Sequence, residues 1–192
     1  MANQMNLLKY RNYEEHDVIN LYATIEGDLT KGTILEYVSA DPDNQNGFGV
    51  SFANTPGYAF SKDYVVNWKV QTATAYSKKI AGILLNDVVT TITDPWSVDA
   101  RFVDPAKLAE KQVVVSGRAV PFATRGWFEV SGIDTTSGAP APGSGAYLSN
   151  STPGTIACGN ISNTAEVRVR IGTFMTSTGL YGGVLVKFNP SF

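Results

Sequence analysis

One cysteine and one histidine are all that the 192 residues contain. With Cys158 alone, no intrachain disulfide can form, which suits assembly in a reducing cytoplasm. One Cys and one His also fall short of the four N or S ligands of a structural zinc site. Charge is scarce too. Charged residues make up 17% of the chain, below the globular norm of about a quarter, and such surfaces suit permanent contacts. The formal net charge is −2, and no run of Lys or Arg builds the basic face that phosphate neutralisation needs. Nucleic acid is therefore not an expected partner. No apolar stretch approaches the roughly 20 residues of a membrane span, so no membrane partner is expected either. Met1 to Tyr10 lacks the basic region and apolar core of a signal peptide. Without one, the sequons at Asn150-Ser151-Thr152 and Asn160-Ile161-Ser162 read as chance.

Helical periodicity is nearly missing. Asp104 to Lys111 offers about two turns, with Asp104 as cap and Pro105 at the first helical position. Strand patterns fill most of the rest. Val18 to Thr24, Gly32 to Val38, Phe48 to Phe52 and Tyr64 to Thr72 read as strands. Asp41 to Gly47 is dense in turn formers and ends in Asn46-Gly47, a tight-turn dipeptide. Ile80 to Leu85 is an apolar run that suits a buried strand, and Val88 to Thr93 follows it. Gln112 to Pro121 reads as one strand, bent at Gly117. Trp127 to Val130, Ala146 to Ser149, Gly154 to Ala157, Val167 to Phe174 and Gly183 to Phe188 complete the set. A dozen short strands with turns between them favour a sandwich or barrel over an α/β fold.

Two segments stand apart. Thr135 to Gly145 is rich in Gly, Pro and Ser and reads as a loop. Residues 1 to about 15 carry Leu7, Leu8, Tyr10 and Tyr13. They suit an arm that pairs with a neighbour by strand addition, and equally a first strand of the domain's own sheet.

Few residues offer chemistry. His16, the one possible His base, lies in the charged cluster Glu14-Glu15-His16-Asp17, as on a solvated surface. Ser144 lacks the strand-turn-helix context of a nucleophile elbow. Asp41, Asp43 and Gln45 alternate like the start of a calcium loop, but Gly47 is one place late and Phe52 stands where a bidentate Glu belongs. Arg125-Gly126-Trp127-Phe128 fits no phosphate-binding glycine pattern. Asp94, Asp99, Asp104 and Glu129 supply carboxylates whose pairing sequence alone does not decide. Cys158 has no basic neighbour to activate it and reads as a small buried residue. Trp68, Trp96 and Trp127, with Phe122 and Phe128, read as core or interface, with a carbohydrate platform as the rival.

Several segments, in order, carry a resemblance. They are Ala23 to Leu35, Lys79 to Val88, Val115 to Val120 and Thr124 to Trp127, followed by Pro140 to Asn150 with Thr155-Ile156-Ala157. Val169 to Met175 and Gly183 to Phe188 then look like a closing hairpin. From about residue 18 to 190 the chain resembles the capsid decoration (cement) proteins of tailed bacteriophages. Val38 to Ser77 is longer than the family's pattern, and residues 1 to 15 lie outside it. The resemblance implies a β-rich domain on the outside of the mature capsid, often a homotrimer. It would bridge major capsid protein subunits against the load of packaged DNA, many weak contacts acting together.

The expected fold is thus all-β: a compact antiparallel β-barrel or β-sandwich, β-tulip-like, with an extended N-terminal arm and one short helix. Residues 1–16 form the arm and 17–192 a single domain. No enzymatic activity, metal or cofactor is expected. The expected partners are the major capsid protein and other copies of the chain, and the virion surface is the expected location. Leu7, Leu8, Tyr10, Tyr13, Trp127 and Phe128 are the candidate capsid or subunit contacts. The rival readings are another virion component (head fibre base, tail or receptor-binding domain), a glycan-binding β domain and a carboxylate-based hydrolase.

Overall fold

The alternation of apolar and polar residues that predicts strands decides here which of two cores each side chain enters. The computed structural model describes residues 5–38, 69–89, 112–116, 118–159 and 169–190. The expected helix at Asp104 to Lys111, the turn at Asp41 to Gly47, Phe48 to Phe52, Gly117, Trp68 and Trp96 lie outside the described residues. The described residues are all-β, apart from one turn of 3-10 helix at Glu15–Asp17.

Five strands close into a barrel: β2 (Val18–Thr24), β3 (Ile34–Tyr37), β4 (Lys69–Thr72), β5 (Ile80–Leu84) and β8 (Val120–Ala123), in the order β2-β4-β3-β5-β8. The β2–β4 pair is parallel and the other pairs are antiparallel. Six more strands form an antiparallel sheet. They are β1 (Asn6–Asn12), β9 (Gly126–Ser131), β10 (Gly145–Leu148), β11 (Ile156–Cys158), β12 (Arg170–Phe174) and β13 (Val184–Phe188). Their order is β1-β9-β13-β12-β10-β11. A small parallel pair, β6 (Asp87–Val89) with β7 (Val113–Val115), completes the described elements. The Gln112 to Pro121 segment is therefore two strands in different sheets. Val113 to Val115 follows β6, while Val120 enters the barrel.

Two clusters of buried side chains explain the layout. Leu35, Val70, Ala81, Leu84, Val120 and Phe122 fill the barrel. Ile34, Ile80, Ile83 and Ala123, from the same strands, point outward and meet Phe128, Val130, Leu148, Ile171, Phe174 and Phe188 of the sheet. Period-2 alternation thus sends neighbours into opposite cores, as with Ile34 and Leu35. It also explains why β5 is apolar throughout: Ile80 to Leu84 is buried on both faces. Gly82 lets this strand approach β8, since a Cβ there would lie 2.4 Å from the Ala123 carbonyl oxygen.

The expected N-terminal arm is corrected. Residues 6–12 are β1, paired in the chain's own sheet with β9, from Asn6 opposite Ser131 to Asn12 opposite Trp127, with a register shift between Leu7 and Arg11. Met5 and Leu7 are buried in the shared cluster. Burial of such side chains contributes roughly 1.5–3 kcal/mol each, which holds the segment down. The Leu7 N–H also donates to the Lys31 carbonyl (3.1 Å). Gly32, at φ +98°, makes room, because a Cβ there would lie 2.8 Å from the Leu7 nitrogen. Farther on, the half-buried Arg11 guanidinium donates through Nη1 to the Leu85 carbonyl (3.2 Å). Burial lowers the Arg11 pKa, opposed by Tyr13 and Asp87. A second tie joins sheet and barrel at the β10–β11 turn. There the Ile34 N–H donates to the Gly154 carbonyl (2.8 Å) and the Gly154 N–H to the Ala73 carbonyl (2.9 Å).

Candidate functional site

Three neighbouring strands of the sheet place Asn12, Trp127 and Lys187 in one row. Asn12 lies opposite Trp127 across β1–β9, and Lys187 lies opposite Trp127 across β9–β13. Residues directly opposite point to the same face. Here it is the outer face, because the adjacent Phe128, Val186 and Phe188 point into the core. The row opens onto a cleft of about 360 Å³. Tyr13, Glu14, Asp17, Arg125 and Gly126 line it beside Trp127. Phe188 and Asn189 complete the lining among the described residues.

The walls are fixed locally. The Thr124 N–H and Oγ1–H both donate to the Asp17 carbonyl, at 2.8 and 3.0 Å. This ties the turn before β9 to the 3-10 turn after β1. Tyr13 stacks on Phe128 with ring centroids 5.8 Å apart. Gly126, at φ +147°, lies against the same ring and against the Asn12 carbonyl, where a Cβ would clash. The cleft wall holds two cationic side chains (Arg125, Lys187), two carboxyls (Glu14, Asp17) and two amides (Asn12, Asn189). It has many donors and acceptors, and among the described residues no Ser, Thr, Cys or His lines it.

A second surface lies on the same sheet. Glu129, two residues after Trp127 and so on the same face, is buried. Its Oε1 accepts the Tyr181 N–H (2.6 Å) and the Gly183 N–H (3.1 Å). Gly179 packs against this carboxyl group, where a Cβ would fall 2.4 Å from Oε1. The Gly179 N–H donates to the Gly183 carbonyl (2.7 Å), and the Leu185 N–H to Thr176 Oγ1 (3.1 Å). The loop between β12 and β13 is thereby pinned, and its tip carries Leu180, 82% exposed, and Tyr181, 54% exposed.

The six candidate contacts divide. Leu7 and Phe128 are core residues, so a contact role for them is corrected: both point into the cluster between sheet and barrel. Leu8 and Tyr10 are half-buried, and Leu8 lies against Gly183. Tyr13 and Trp127 are partly exposed and both line the cleft. Leu180 and Tyr181 escaped the sequence reading. The available signal was an apolar pair inside a Gly-, Ser- and Thr-rich loop, Thr176 to Gly183.

The candidates for chemistry do not converge. His16 is exposed in the 3-10 turn and does not line the cleft. Ser144 Oγ–H donates to the Ala141 carbonyl (2.7 Å) within a turn. Glu129 is spent on backbone N–H groups, and Asp94, Asp99 and Asp104 lie outside the described residues. Cys158 is buried, and burial, with Asp134 nearby, pushes its thiol up to about 11. Among the described residues, no three His, Cys, Asp or Glu side chains group as metal ligands. No helix among them is long and apolar enough to cross a membrane. No family model matches the chain, and no curated protein matches it.

Proposed function

We propose that the protein is a virion structural protein, a decoration protein that binds the outer surface of the mature capsid of a tailed bacteriophage. It bridges major capsid protein subunits, acts as a homotrimer and performs no catalysis. The observation that carries this reading is the Leu180–Tyr181 tip. Two large side chains stand in solvent on a loop that a buried carboxyl group holds in shape. Exposing apolar surface costs solubility unless a partner covers it. Fixing its geometry beforehand lowers the ordering entropy of association. The order of β segments resembling the decoration proteins supports the same reading. A contact of this size is weak alone and gains strength from repetition over a lattice.

The test uses the expanded capsid of the phage whose major capsid gene neighbours the gene for this chain, stripped of decoration. Added protein is expected to bind at saturable, regularly spaced sites and to raise the melting temperature of the shell. Leu180→Asp with Tyr181→Asp should abolish the gain while the variant stays folded. Wild-type protein that leaves capsid melting unchanged sinks the proposal.

A further inference from the structure

We propose that the cleft beside Trp127 is a binding site for a neutral pyranose ring of a glycan, stacked on the indole. The proposal goes beyond the capsid reading and rests on different residues.

Size comes first. The cleft, about 360 Å³, lies at the lower end of the range of about 300–1,000 Å³ for small-molecule sites. It suits a sugar ring or two and is short for a folded partner. Charge comes next. Among the described lining residues, Arg125 and Lys187 balance Glu14 and Asp17, so these four side chains favour no ion of either sign. Hydrogen-bonding character narrows the class further. Carboxyls only accept when ionised, cationic side chains only donate, and the amides of Asn12 and Asn189 do both. A ligand that satisfies such a mixture needs groups that donate and accept at each position, and a ring of hydroxyls does so.

The aromatic residue supplies the remaining element. Trp127 is 38% exposed, although it sits in the middle of a paired row on a sheet. An indole there offers a flat apolar face beside a polar rim, matching the C–H face of a pyranose and its equatorial hydroxyls. The platform is also rigid. Trp127 is held by strands on both sides, and of the other lining residues Asp17 is fixed by its bonds from Thr124 and Tyr13 by its stack on Phe128. Little ordering entropy remains to oppose a weak ligand.

The isolated protein is tested by saturation-transfer NMR with the methyl glycosides of glucose, galactose, mannose and N-acetylglucosamine. A glycan array containing neutral and sialylated chains accompanies it. Saturation transfer to at least one neutral methyl glycoside is expected, with the C–H face receiving most of it. Trp127→Ala should weaken binding by about tenfold or more, as loss of an aromatic stack implies. Lys187→Ala should weaken it less, and the Leu180→Asp, Tyr181→Asp protein should bind as wild type. Circular dichroism of each variant excludes unfolding as the cause. No transfer to any neutral glycoside together with a blank array overturns the proposal. So does undiminished binding by folded Trp127→Ala, or binding confined to sialylated chains.

Discussion

Glu129, in the sheet, and Tyr181, at the tip of a surface loop, are joined by a 2.6 Å hydrogen bond from the Tyr181 N–H to the Glu129 carboxyl group. A buried acid, 1% exposed, thus determines how an exposed aromatic is displayed. Glu129→Ala leaves the Tyr181 and Gly183 N–H groups without their acceptor. The expected cost is about 2–4 kcal/mol in chemical denaturation, since a buried donor left without its acceptor costs roughly 1–3 kcal/mol and water recovers part of the loss. Hydrogen exchange should rise in residues 179–183 and stay unchanged in the barrel. Gly179→Ala should act in the same direction, because its Cβ meets the carboxyl group.

The first strand offers a cleaner separation of folding from binding. Leu7→Ala removes a side chain buried in the shared cluster, and about 2–5 kcal/mol of stability is expected to go with it. A binding arm would behave differently, losing affinity with its melting temperature intact. Calorimetry of the isolated protein distinguishes the two.

Gly82→Ala tests the closeness of the barrel. The added methyl would sit 2.4 Å from the Ala123 carbonyl oxygen and 2.7 Å from the Phe122 ring. Both are fixed by β8, so β5 must shift. A loss of about 1–3 kcal/mol or more is expected, read as a lower denaturation midpoint. Gly138→Ala is the control for the missing side chain. It has φ +143° and open space around it, so its smaller cost is one of backbone strain alone.

Asp134 gives the fold an acid limit. Partial burial pushes its carboxyl up, but hydrogen bonds from Ser149, Thr136 and Ser151 outweigh that and hold it at about 2, against an ordinary 3.8. A lowered carboxyl pKa stabilises the folded state above the ordinary value, and the benefit fades as pH falls from 3.8 toward about 2. Asp134→Asn should flatten the stability curve across that window. The loss at neutral pH should be about 1–2 kcal/mol, because a pKa unit is worth roughly 1.36 kcal/mol and this half-buried carboxyl is partly screened.

The thiol of Cys158 is expected to resist iodoacetamide in the native protein near neutral pH, since burial keeps it protonated and out of reach. Denaturant should make it react at once. Mass spectrometry after brief labelling reads both states.

Strands were legible where local pattern sufficed. Val18 to Thr24 reads as a strand and is β2, and the apolar run from Ile80 reads as buried and is buried on both faces. Partnership was not legible, because it depends on contacts far apart in the chain. The Leu7–Tyr13 pattern suits an arm as well as a strand, and only β9, more than a hundred residues later, decides between them. Barrel and sandwich could not be told apart because the chain builds a barrel and packs a separate sheet on it, with alternate residues of shared strands serving both. In the cleft, Tyr13 and Trp127 stand out as aromatics. Lys187 joins them only through pairing with β9, and the Leu180–Tyr181 tip needs the buried Glu129 to become a fixed feature.

The two outer strands of the six-stranded sheet both spend backbone groups outside it. On β1, the Leu7 N–H is taken by Lys31. On β11, the Ile156 carbonyl accepts from Asp134, and the Cys158 N–H donates back to the Asp134 carbonyl (2.8 and 3.1 Å). At these positions the sheet's borders offer a neighbouring copy no free backbone groups for edge-to-edge pairing. A second copy approaching either border there would have to displace bonds the fold already makes before its own strand could add to the sheet.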